Sequence, residues 1–169
     1  MTRQRIVIIG ASSHIAEHCA RLWAKQPTDF VLVGRDHARV QRVADDLKVR
    51  SPGSSTEVLE ADFHDPAAIT ALAARLQAAA KIDIVLVAHG RLRPQSDCEQ
   101  DLDATRDSLQ LNGVSPVLFA EAFTMQMAAT GGTIAVIGSV SGDRGRKKNY
   151  VYGAAKGMVD RYVQGMQHR

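Results

Sequence analysis

Three side chains in the last third of the sequence have types and spacing suited to proton transfer. Tyr152 and Lys156 stand four residues apart, and Ser139 stands thirteen residues before the tyrosine. Residues four apart share one face of a helix, so the ammonium can approach the phenol and favour its phenolate form. A phenolate can serve as a general base, and a serine hydroxyl can donate to an oxygen on which charge develops. Ser141, eleven residues before Tyr152, competes for the serine role at a less favourable spacing.

A second candidate site follows the first apolar run of the chain. Backbone N–H groups at the start of a helix bind phosphate, and small residues let the backbone approach it closely. We therefore predict that a dinucleotide pyrophosphate is bound by the turn that contains Gly10, Ser12, Ser13, His14 and Ile15. The turn holds one glycine where such loops usually carry three, so a plain tight turn is the alternative.

The end of the second apolar run carries a signal for the type of dinucleotide. An acidic residue at this point favours a free ribose hydroxyl, whereas the sequence has Gly34 followed by Arg35. The guanidinium is a planar fork that matches a phosphate, so we expect NADP(H) in preference to NAD(H). The alternative is that Arg35 is a solvated loop residue and that Asp36 caps the next helix.

Two further turns complete the predicted cofactor site. Asp62 follows the third apolar run and could place its carboxylate near the adenine amino group. Ala88, His89 and Gly90 follow the fourth run, where small backbone allows close approach of the cofactor. A single histidine in a loop is either a titrating group or a hydrogen-bonded structural residue.

Five short apolar runs, mostly of β-branched and aliphatic residues, are predicted to be strands that are buried on both faces. They are Ile6–Ile9, Phe30–Val33, Val58–Leu59, Ile84–Val87 and Ile134–Ile137. Segments with helical period separate them. This alternation predicts an α/β fold, a doubly wound parallel sheet in a three-layer α/β/α arrangement.

The predicted helices present apolar faces toward the sheet. The first three faces are Ile15, Cys19, Leu22 and Trp23; Val40, Val43, Ala44 and Leu47; and Ile69, Leu72, Ala73 and Leu76. The third helix begins with Asp65 as N-cap and Pro66 at its first position. Two more helices are predicted, from Thr105 to Met127 with a bend near Pro116, and from about Tyr152 to the end.

Composition limits the class of protein. A chain of 169 residues with 45% hydrophobic content suits one globular domain over residues 1–169. The net charge is +3, but the basic residues are scattered and aromatics are 5%, which argues against nucleic acid as a partner. Cys19 and Cys98 have neither disulfide-framework nor metal-ligand spacing, so we expect no metal. The apolar run after the basic start at Met1 is too short for a signal peptide or a membrane span, and we expect a soluble, cytoplasmic protein.

Two loops are rich in basic residues. They follow the fourth and fifth predicted strands and contain Arg91, Arg93, Arg144, Arg146, Lys147 and Lys148. Loops at the carboxyl ends of neighbouring parallel strands border one crevice, so these cations could attract an anionic substrate. The alternative is that both loops are simply solvated.

The sequence resembles the short-chain dehydrogenase/reductase family over essentially its whole length. The similar stretches are Gly10–Ala16, Val33–Asp36, Ala61-Asp62, Leu111-Asn112, Ile137–Gly142 and Tyr152–Lys156. The resemblance implies a Rossmann domain, a carbonyl or secondary-alcohol substrate, hydride transfer with NADP(H), and a homodimer or homotetramer assembled through the long helices.

The resemblance also implies a catalytic tetrad of Asn112, Ser139, Tyr152 and Lys156. In the family, the tyrosine is the acid–base, the serine positions the carbonyl, and the lysine acts on the tyrosine and holds the nicotinamide ribose. The asparagine maintains a kinked helix that binds a water linking the lysine to solvent. Asn112 falls in the middle of a predicted helix, where such an irregularity fits.

The sequence departs from the family pattern in three places. The glycine loop retains Gly10 alone, and the usual Asn-Asn-Ala-Gly segment is Val87-Ala-His-Gly90. These changes, with the run from Gly142 to Gly153, are similar to a subgroup containing the mycobacterial decaprenylphosphoryl-2-keto-erythro-pentose reductase. Family members usually continue through two more strands and a substrate loop. We therefore expect the fifth strand to be an unpaired edge, and a non-catalytic dinucleotide-binding or regulatory module, or an inactive fragment, is the alternative function.

Overall fold

The computed structural model describes residues 3–168, so Met1, Thr2 and Arg169 of the predicted domain lie outside the described residues. Within this range, strands and helices alternate in the order that the sequence predicts. The elements are β1 (Gln4–Ile9), α1 (His14–Trp23), β2 (Thr28–Gly34), α2 (His37–Arg50), β3 (Ser55–Glu60), α3 (Pro66–Ala79), β4 (Ile84–Val87), α4 (Gln95–Gln100), α5 (Leu102–Leu109), a π-helical turn (Gln110–Val114), α6 (Ser115–Met127), β5 (Thr133–Val136) and α7 (Tyr150–Met166).

The strands of the described residues form one parallel sheet in the order β3-β2-β1-β4-β5. Ile8 of β1 lies between Leu32 of β2 and Leu86 of β4, which fixes the register of the three central strands. The strand order reverses direction between β1 and β4. In such sheets the crevice outside the carboxyl ends at this switch point is where ligands bind.

Helices cover both faces of the sheet and confirm the predicted three-layer fold. Because side chains alternate along a strand, Val7 and Ile9 point to one face while Ile6 and Ile8 point to the other. The first face packs against α3 and α6, and the second against α1 and α2. The central strands are therefore held rigidly, with their carboxyl ends at one edge of the core.

The prediction that all five strands are buried on both faces is wrong for β3 and β5. In β3 the residues Ser55, Glu57 and Glu60 are exposed, and β5 is only partly buried. Both strands lie at the ends of the sheet, where fewer helices cover them. Among the described residues, β5 pairs with β4 alone, so the predicted unpaired edge is confirmed.

The predicted buried face of α1 is confirmed for Cys19 and Trp23, which pack against the core, but is wrong for Ile15 and Leu22. Ile15 and Leu22 are 53% and 61% exposed, whereas Ala16 and Ala20 are buried against the sheet. Small side chains allow the helix to lie close to the strands, and apolar period alone does not distinguish this arrangement. The predicted faces of α2 and α3 are confirmed, as are the Asp65 cap and Pro66 at the start of α3.

The helices after β4 differ in detail from the prediction. Helix α4 was not predicted, because its sequence QSDCEQ has no apolar period. The irregularity of the long helix is the π-helical turn Gln110–Val114, and Pro116 follows it in the first turn of α6. The last helix begins at Tyr150, two residues earlier than predicted.

Two kinds of feature are absent from residues 3–168. No helix in this range combines the length and apolar character needed to cross a membrane. Nor does the same part of the chain contain three or more His, Cys, Asp or Glu side chains grouped so that they could hold a metal ion.

Candidate active site

The turn after β1 is in direct contact with the turn after β4. Gly10 has φ +83°, and a Cβ at this position would lie 2.7 Å from the backbone nitrogen of His89. The N–H groups of Gly10 and Ala11 both donate to the carbonyl of Val33, at 2.8 and 3.1 Å. Only glycine fits this conformation and spacing, so its presence is explained by the close approach of two loops.

A groove of about 370 Å³ runs along this turn. Six of the residues predicted to bind a cofactor border it, namely Gly10, Ser12, Ser13, Arg35, His89 and Gly90. The others predicted for the cofactor do not border it, namely His14, Ile15, Asp62, Ala88, Tyr152 and Lys156. The groove thus brings together the ends of β1, β2 and β4 at the switch point of the sheet.

The first turn of α1 is built around Ser13. Its hydroxyl oxygen accepts from the N–H of Ala16 at 3.2 Å and caps the helix, while His14 and Ile15 follow as exposed residues. In the loop after β3, Asp62 is exposed, and its carboxylate accepts from the N–H of His64 at 2.8 Å. Ala88 is buried at the end of β4. Ser13 and Asp62 therefore each form a hydrogen bond with a nearby backbone N–H group.

The end of β2 presents guanidinium groups to the groove, together with the exposed carboxylate of Asp36. A Cβ on Gly34 would collide with the side chain of Val40. Asp36 is the N-cap of α2 and accepts from the N–H of Arg39 at 3.1 Å. The guanidinium carbon of Arg35 lies 6.0 Å from the centroid of the Phe63 ring, a cation–π distance.

Arg39 borders the same groove and was missed by sequence reasoning. The signal was available, because Arg39 is three positions after Asp36, the N-cap of α2, and therefore lies on the first turn of the helix that follows Arg35. Within residues 3–168, neither guanidinium forms an ion pair with a carboxylate. Two guanidinium groups without such ion pairs therefore border one end of the groove, which the Asp36 carboxylate also borders.

His89 is buried, hydrogen-bonded and packed between two aromatic rings. Its Nε2 lies 2.9 Å from the hydroxyl oxygen of Ser115, and its ring packs edge-on against Phe63 and Phe119. Burial, with smaller contributions from neighbouring cations of which Lys156 is the largest, lowers its pKa to about 3. The ring is therefore neutral near pH 7 and supports the turn after β4.

The ammonium of Lys156 is buried at the other end of the turn after β4. Its Nζ donates to the carbonyl of Ile137 at 2.7 Å, and burial lowers its pKa, with Asp160 opposing that shift. A Cβ on Gly90 would lie 3.9 Å from this Nζ and 3.0 Å from the Oδ1 of Asn112. Lys156 and Asn112 thus meet at Gly90, which also borders the groove.

Asn112 lies in the π-helical turn and is fully buried. Its amide nitrogen donates to the carbonyls of Ser108 and Arg91 at 2.9 and 3.0 Å. Its amide oxygen accepts from the N–H of Arg91 at 2.7 Å. Both ends of the amide therefore hold the loop after β4, and the helix irregularity predicted at this position is present.

The two serines after β5 have different surroundings. The hydroxyl of Ser141 is buried and accepts from the side-chain amide of Asn149 at 2.9 Å. The hydroxyl oxygen of Ser139 accepts from the N–H of Ser141 at 3.1 Å, and its own hydrogen remains available as a donor on a half-buried side chain. Tyr152 is half-buried on the first turn of α7. Among the described hydrogen bonds, none joins Tyr152 directly to Ser139 or Lys156.

The predicted basic residues divide into two groups. Arg91 and Arg93 line a second pocket of about 260 Å³ together with Arg35 and His64, next to the groove. The remaining four, Arg144, Arg146, Lys147 and Lys148, lie in the loop between β5 and α7 and are largely exposed. Arg91 and Arg93 therefore lie beside the groove that is predicted to bind the cofactor.

With this fold and these positions, the sequence belongs to the short chain dehydrogenase family, whose family model matches residues 4–169. The chain is 26% identical over 163 residues to dehydrogenase/reductase SDR family member 7B of Danio rerio, covering 93% of this chain and 53% of that protein. It is 30% identical over 164 residues to galactitol 2-dehydrogenase (L-tagatose-forming) of Cereibacter sphaeroides, covering 94% and 62%.

A solved structure gives the same result. The short-chain dehydrogenase from Sphingobium yanoikuyae in complex with NADPH superposes with a TM-score of 0.85 and 31% identity. The match covers 97% of this chain and 64% of that one. The chain therefore spans between about half and two thirds of the length of these relatives.

Proposed function

We propose that the chain binds NADP(H) and carries the proton-relay residues of an oxidoreductase that interconverts a carbonyl and a secondary alcohol. The observation that carries the proposal is the meeting of Lys156, Asn112 and Gly90 at one end of the groove. A buried lysine that holds its ammonium with a backbone carbonyl is a costly arrangement in a purely structural role. Its position beside a dinucleotide-type groove supports a functional one.

The groove fits a dinucleotide. Gly10 has no room for a Cβ, because His89 lies against it. The turn that contains Gly10 therefore borders the groove with small residues and their backbone. Gly10, Ser12 and Ser13 would hold the pyrophosphate at the start of α1. When bound, the nicotinamide supplies or accepts a hydride; the residues of this chain orient it and handle the proton.

Preference for the 2′-phosphorylated form is supported by the end of β2. No side chain fits at position 34, and the Asp36 carboxylate is engaged as a helix cap. Arg35 and Arg39 leave two guanidinium groups at this end of the groove. Guanidinium pairs with phosphate in a bidentate geometry, so both residues would favour NADP(H).

Each predicted catalytic residue has a role in this proposal. Tyr152 exchanges a proton with the substrate oxygen, and Ser139 donates a hydrogen bond to that oxygen from its half-buried hydroxyl. Lys156 supplies positive charge beside the relay and would hold the ribose of the cofactor. Asn112 holds the loop after β4, through Arg91, against the π-helical turn.

The finer identity of the substrate stays a prediction. The cations of the loop between β5 and α7 are consistent with an anionic substrate or with a solvated loop. The similarity to the decaprenylphosphoryl-2-keto-erythro-pentose reductase subgroup is likewise untested. The galactitol dehydrogenase among the relatives makes polyols and keto sugars a reasonable first set of compounds to assay.

The test is the replacement Tyr152→Phe, which removes the hydroxyl and keeps the ring. We expect turnover of ketones and secondary alcohols to fall by at least about 10²-fold, the usual lower range for losing a general acid–base. NADPH binding, measured by fluorescence titration, should remain within about twofold because the groove does not include this side chain. Tyr150→Phe, on an exposed side chain of the same turn, is the matched control.

Three outcomes separate this function from its alternative. Turnover in the wild type and its loss in Tyr152→Phe support the oxidoreductase. NADPH binding without turnover of any compound favours a non-catalytic dinucleotide-binding module. Activity of Tyr152→Phe equal to that of the wild type contradicts the assignment of the proton relay.

A further inference from the structure

We propose that Gln95 is a positioning residue, which caps the helix that carries the tyrosine and lysine and so holds Tyr152 in place. The inference rests on the proposed function for its catalytic consequence, but its structural part can be measured without turnover. Two observations carry it. The N-cap residue of α7 makes no capping bond with its side chain, and Gln95 of α4 accepts from a backbone N–H of the first turn of α7.

The residue at the start of α7 does not cap it. A helix leaves its first N–H groups without partners inside the helix, and an asparagine at the N-cap normally accepts from one of them. Asn149 occupies the N-cap but makes no such bond with its side chain. Its amide instead donates to the hydroxyl of Ser141 at 2.9 Å.

Gln95 of α4 supplies the acceptor that the first turn of α7 lacks. Its side-chain oxygen accepts from the N–H of Val151 at 3.1 Å, across 56 residues of sequence, in a buried setting. The residue that receives this bond is the immediate neighbour of Tyr152. Loss of the acceptor would leave a buried N–H without a partner, which costs more than an ordinary hydrogen bond.

Gln95 is itself held firmly. It is 8% exposed and begins α4, which is joined to the following helix where the Thr105 hydroxyl donates to the carbonyl of Cys98 at 2.6 Å. Within the described residues the amide nitrogen of Gln95 makes no hydrogen bond of ordinary geometry, and the phenol of Tyr150 lies near this side chain. The oxygen makes the bond to α7, and a glutamate would keep an acceptor there while placing a carboxylate in a buried position.

The same contacts connect Tyr152 to Ser139. Asn149 precedes α7 and bonds to Ser141, whose N–H donates to the hydroxyl oxygen of Ser139. A Cβ on Gly153 would lie 2.6 Å from the carbonyl of Ser141, so the helix packs directly on this turn. Gln95 on one side and Ser141 on the other thus hold the first turn of α7, and with it the separation of the two relay residues.

The experiment compares Gln95→Met, which keeps the volume and removes the acceptor, with Gln95→Glu, which keeps the acceptor. Gln95→Asn, one methylene shorter, serves as a second loss variant if the Met variant does not fold. Gln100→Met, on the exposed end of the same helix, is the matched control. Each protein is assayed for ketone reduction with NADPH and for amide hydrogen exchange in the segment 147–156.

We expect Gln95→Met and Gln95→Asn to lower kcat at least about tenfold, since small displacements of reacting groups have large effects on rate. KM for NADPH should stay within about twofold, because the groove does not include Gln95. Exchange in segment 147–156 should be faster by about tenfold, the consequence of a lost cap worth roughly 1.4 kcal/mol. Gln100→Met should match the wild type in all three measurements. Gln95→Glu should keep the slow exchange of the wild type in segment 147–156, because a carboxylate oxygen can accept from the N–H of Val151.

Two results would overturn the inference. The first is a Gln95→Met or Gln95→Asn protein with normal kcat or with unchanged exchange in segment 147–156. The second is a Gln95→Glu protein whose exchange in segment 147–156 is as fast as that of Gln95→Met, because the acceptor would then not be the relevant group. A wild type that reduces no ketone contradicts the proposed function instead, and the exchange comparison still supports the cap or overturns it.

Discussion

At the scale of single residues, we expect the proposed preference for NADP(H) over NAD(H) to depend on Arg35. Its guanidinium lies over the Phe63 ring at the groove and has no carboxylate partner among the described residues. Gly34 beside it cannot be replaced by an acidic residue without a collision with Val40. The end of β2 therefore borders the groove with Arg35 and Arg39, and with the exposed Asp36, one of whose carboxylate oxygens caps α2.

Replacing Arg35 by alanine should remove most of this preference. We expect KM for NADPH to rise at least about tenfold, equivalent to roughly 1.4 kcal/mol of lost binding, with little change for NADH. The rise should diminish with added salt, since it depends on an exposed charge. Steady-state kinetics with both cofactors measures it. Arg75→Ala, an exposed arginine on α3, is the control, and an equal effect on both cofactors would argue against a phosphate contact.

His89 makes stability depend on pH. Its pKa is about 3 in the folded protein against an ordinary value of 6.5, so the unfolded chain binds the proton more tightly between these values. Stability from this group is complete above pH 6.5 and decreases as the pH falls toward 3. The maximum slope for one proton is roughly 1.4 kcal/mol per pH unit.

The measurement is urea denaturation between pH 7 and pH 4 for the wild type and His89→Gln. Carboxylates also titrate in this range, and the variant retains them. We expect the free energy of unfolding of the variant to vary less with pH than that of the wild type, although its value at pH 7 should be lower. Parallel pH curves for the two proteins would show that His89 does not titrate as its burial requires.

At the scale of elements, the contact between the turns after β1 and β4 is the most constrained part of the site. Gly10 combines a left-handed backbone with a neighbouring backbone 2.7 Å from any added Cβ. The π-helical turn contributes from the other side, because Asn112 holds the loop after β4 by two bonds to Arg91. The groove and the residues predicted to form the proton relay are therefore joined through the loop after β4.

Gly10→Ala should disturb this contact directly. The left-handed conformation alone costs about 1–2 kcal/mol for a residue with a Cβ, and the displaced His89 backbone adds to it. We expect the free energy of unfolding to fall by about 2 kcal/mol or more, and NADPH binding to weaken. Thermal denaturation and fluorescence titration measure the two effects. Gly145→Ala, where an added Cβ meets nothing within 4 Å, should be nearly neutral, and equal behaviour of the two variants would contradict this account.

At the scale of the whole molecule, the chain shows apolar surface on its long helices. Met125 of α6 is 57% exposed, and Met158 of α7 is also exposed, so neither is an ordinary core residue. Exposed apolar side chains on neighbouring helices are typical of interfaces between subunits. This is the location that the family resemblance indicated for assembly.

Met125→Lys should weaken self-association. We expect the wild type to be a dimer or tetramer in light scattering, and the variant to shift toward the monomer because a charge would be buried at the interface. Val49→Lys, at an 82% exposed position of α2, should leave the mass unchanged. A monomeric wild type, or a variant with the same mass as the wild type, would contradict assembly through this surface.

The edge of β5 opposite β4, which is unpaired among residues 3–168, is the second feature of the whole molecule. The N–H of Thr133 donates to the carbonyl of Asp83, just before β4, and that of Ile137 donates to Val87 of β4, so the residues between them turn alternate backbone groups toward the unpaired edge. The relatives extend well beyond the length that this chain covers. The domain boundaries and the activity of the whole protein accordingly stay proposals.

The strand–helix order and the switch-point position of the candidate site could be predicted from local sequence. Apolar runs and helical period depend on neighbours in the chain, and the apolar faces of α2 and α3 were predicted correctly for that reason. The same reasoning failed where packing decides. Ala16 and Ala20 face the sheet because α1 lies close to it, and β3 is exposed because it ends the sheet.

The sequence by itself determined the family, the parallel three-layer fold and the residue types of the proton relay, because these follow from local pattern and fixed spacing. Only the tertiary structure decided how they are held. The bond from Gln95 to Val151, the cradle of Gly10 against His89 and the burial of Lys156 beside Gly90 each join segments far apart in the chain. Such contacts depend on how layers pack, and no local period or spacing records them.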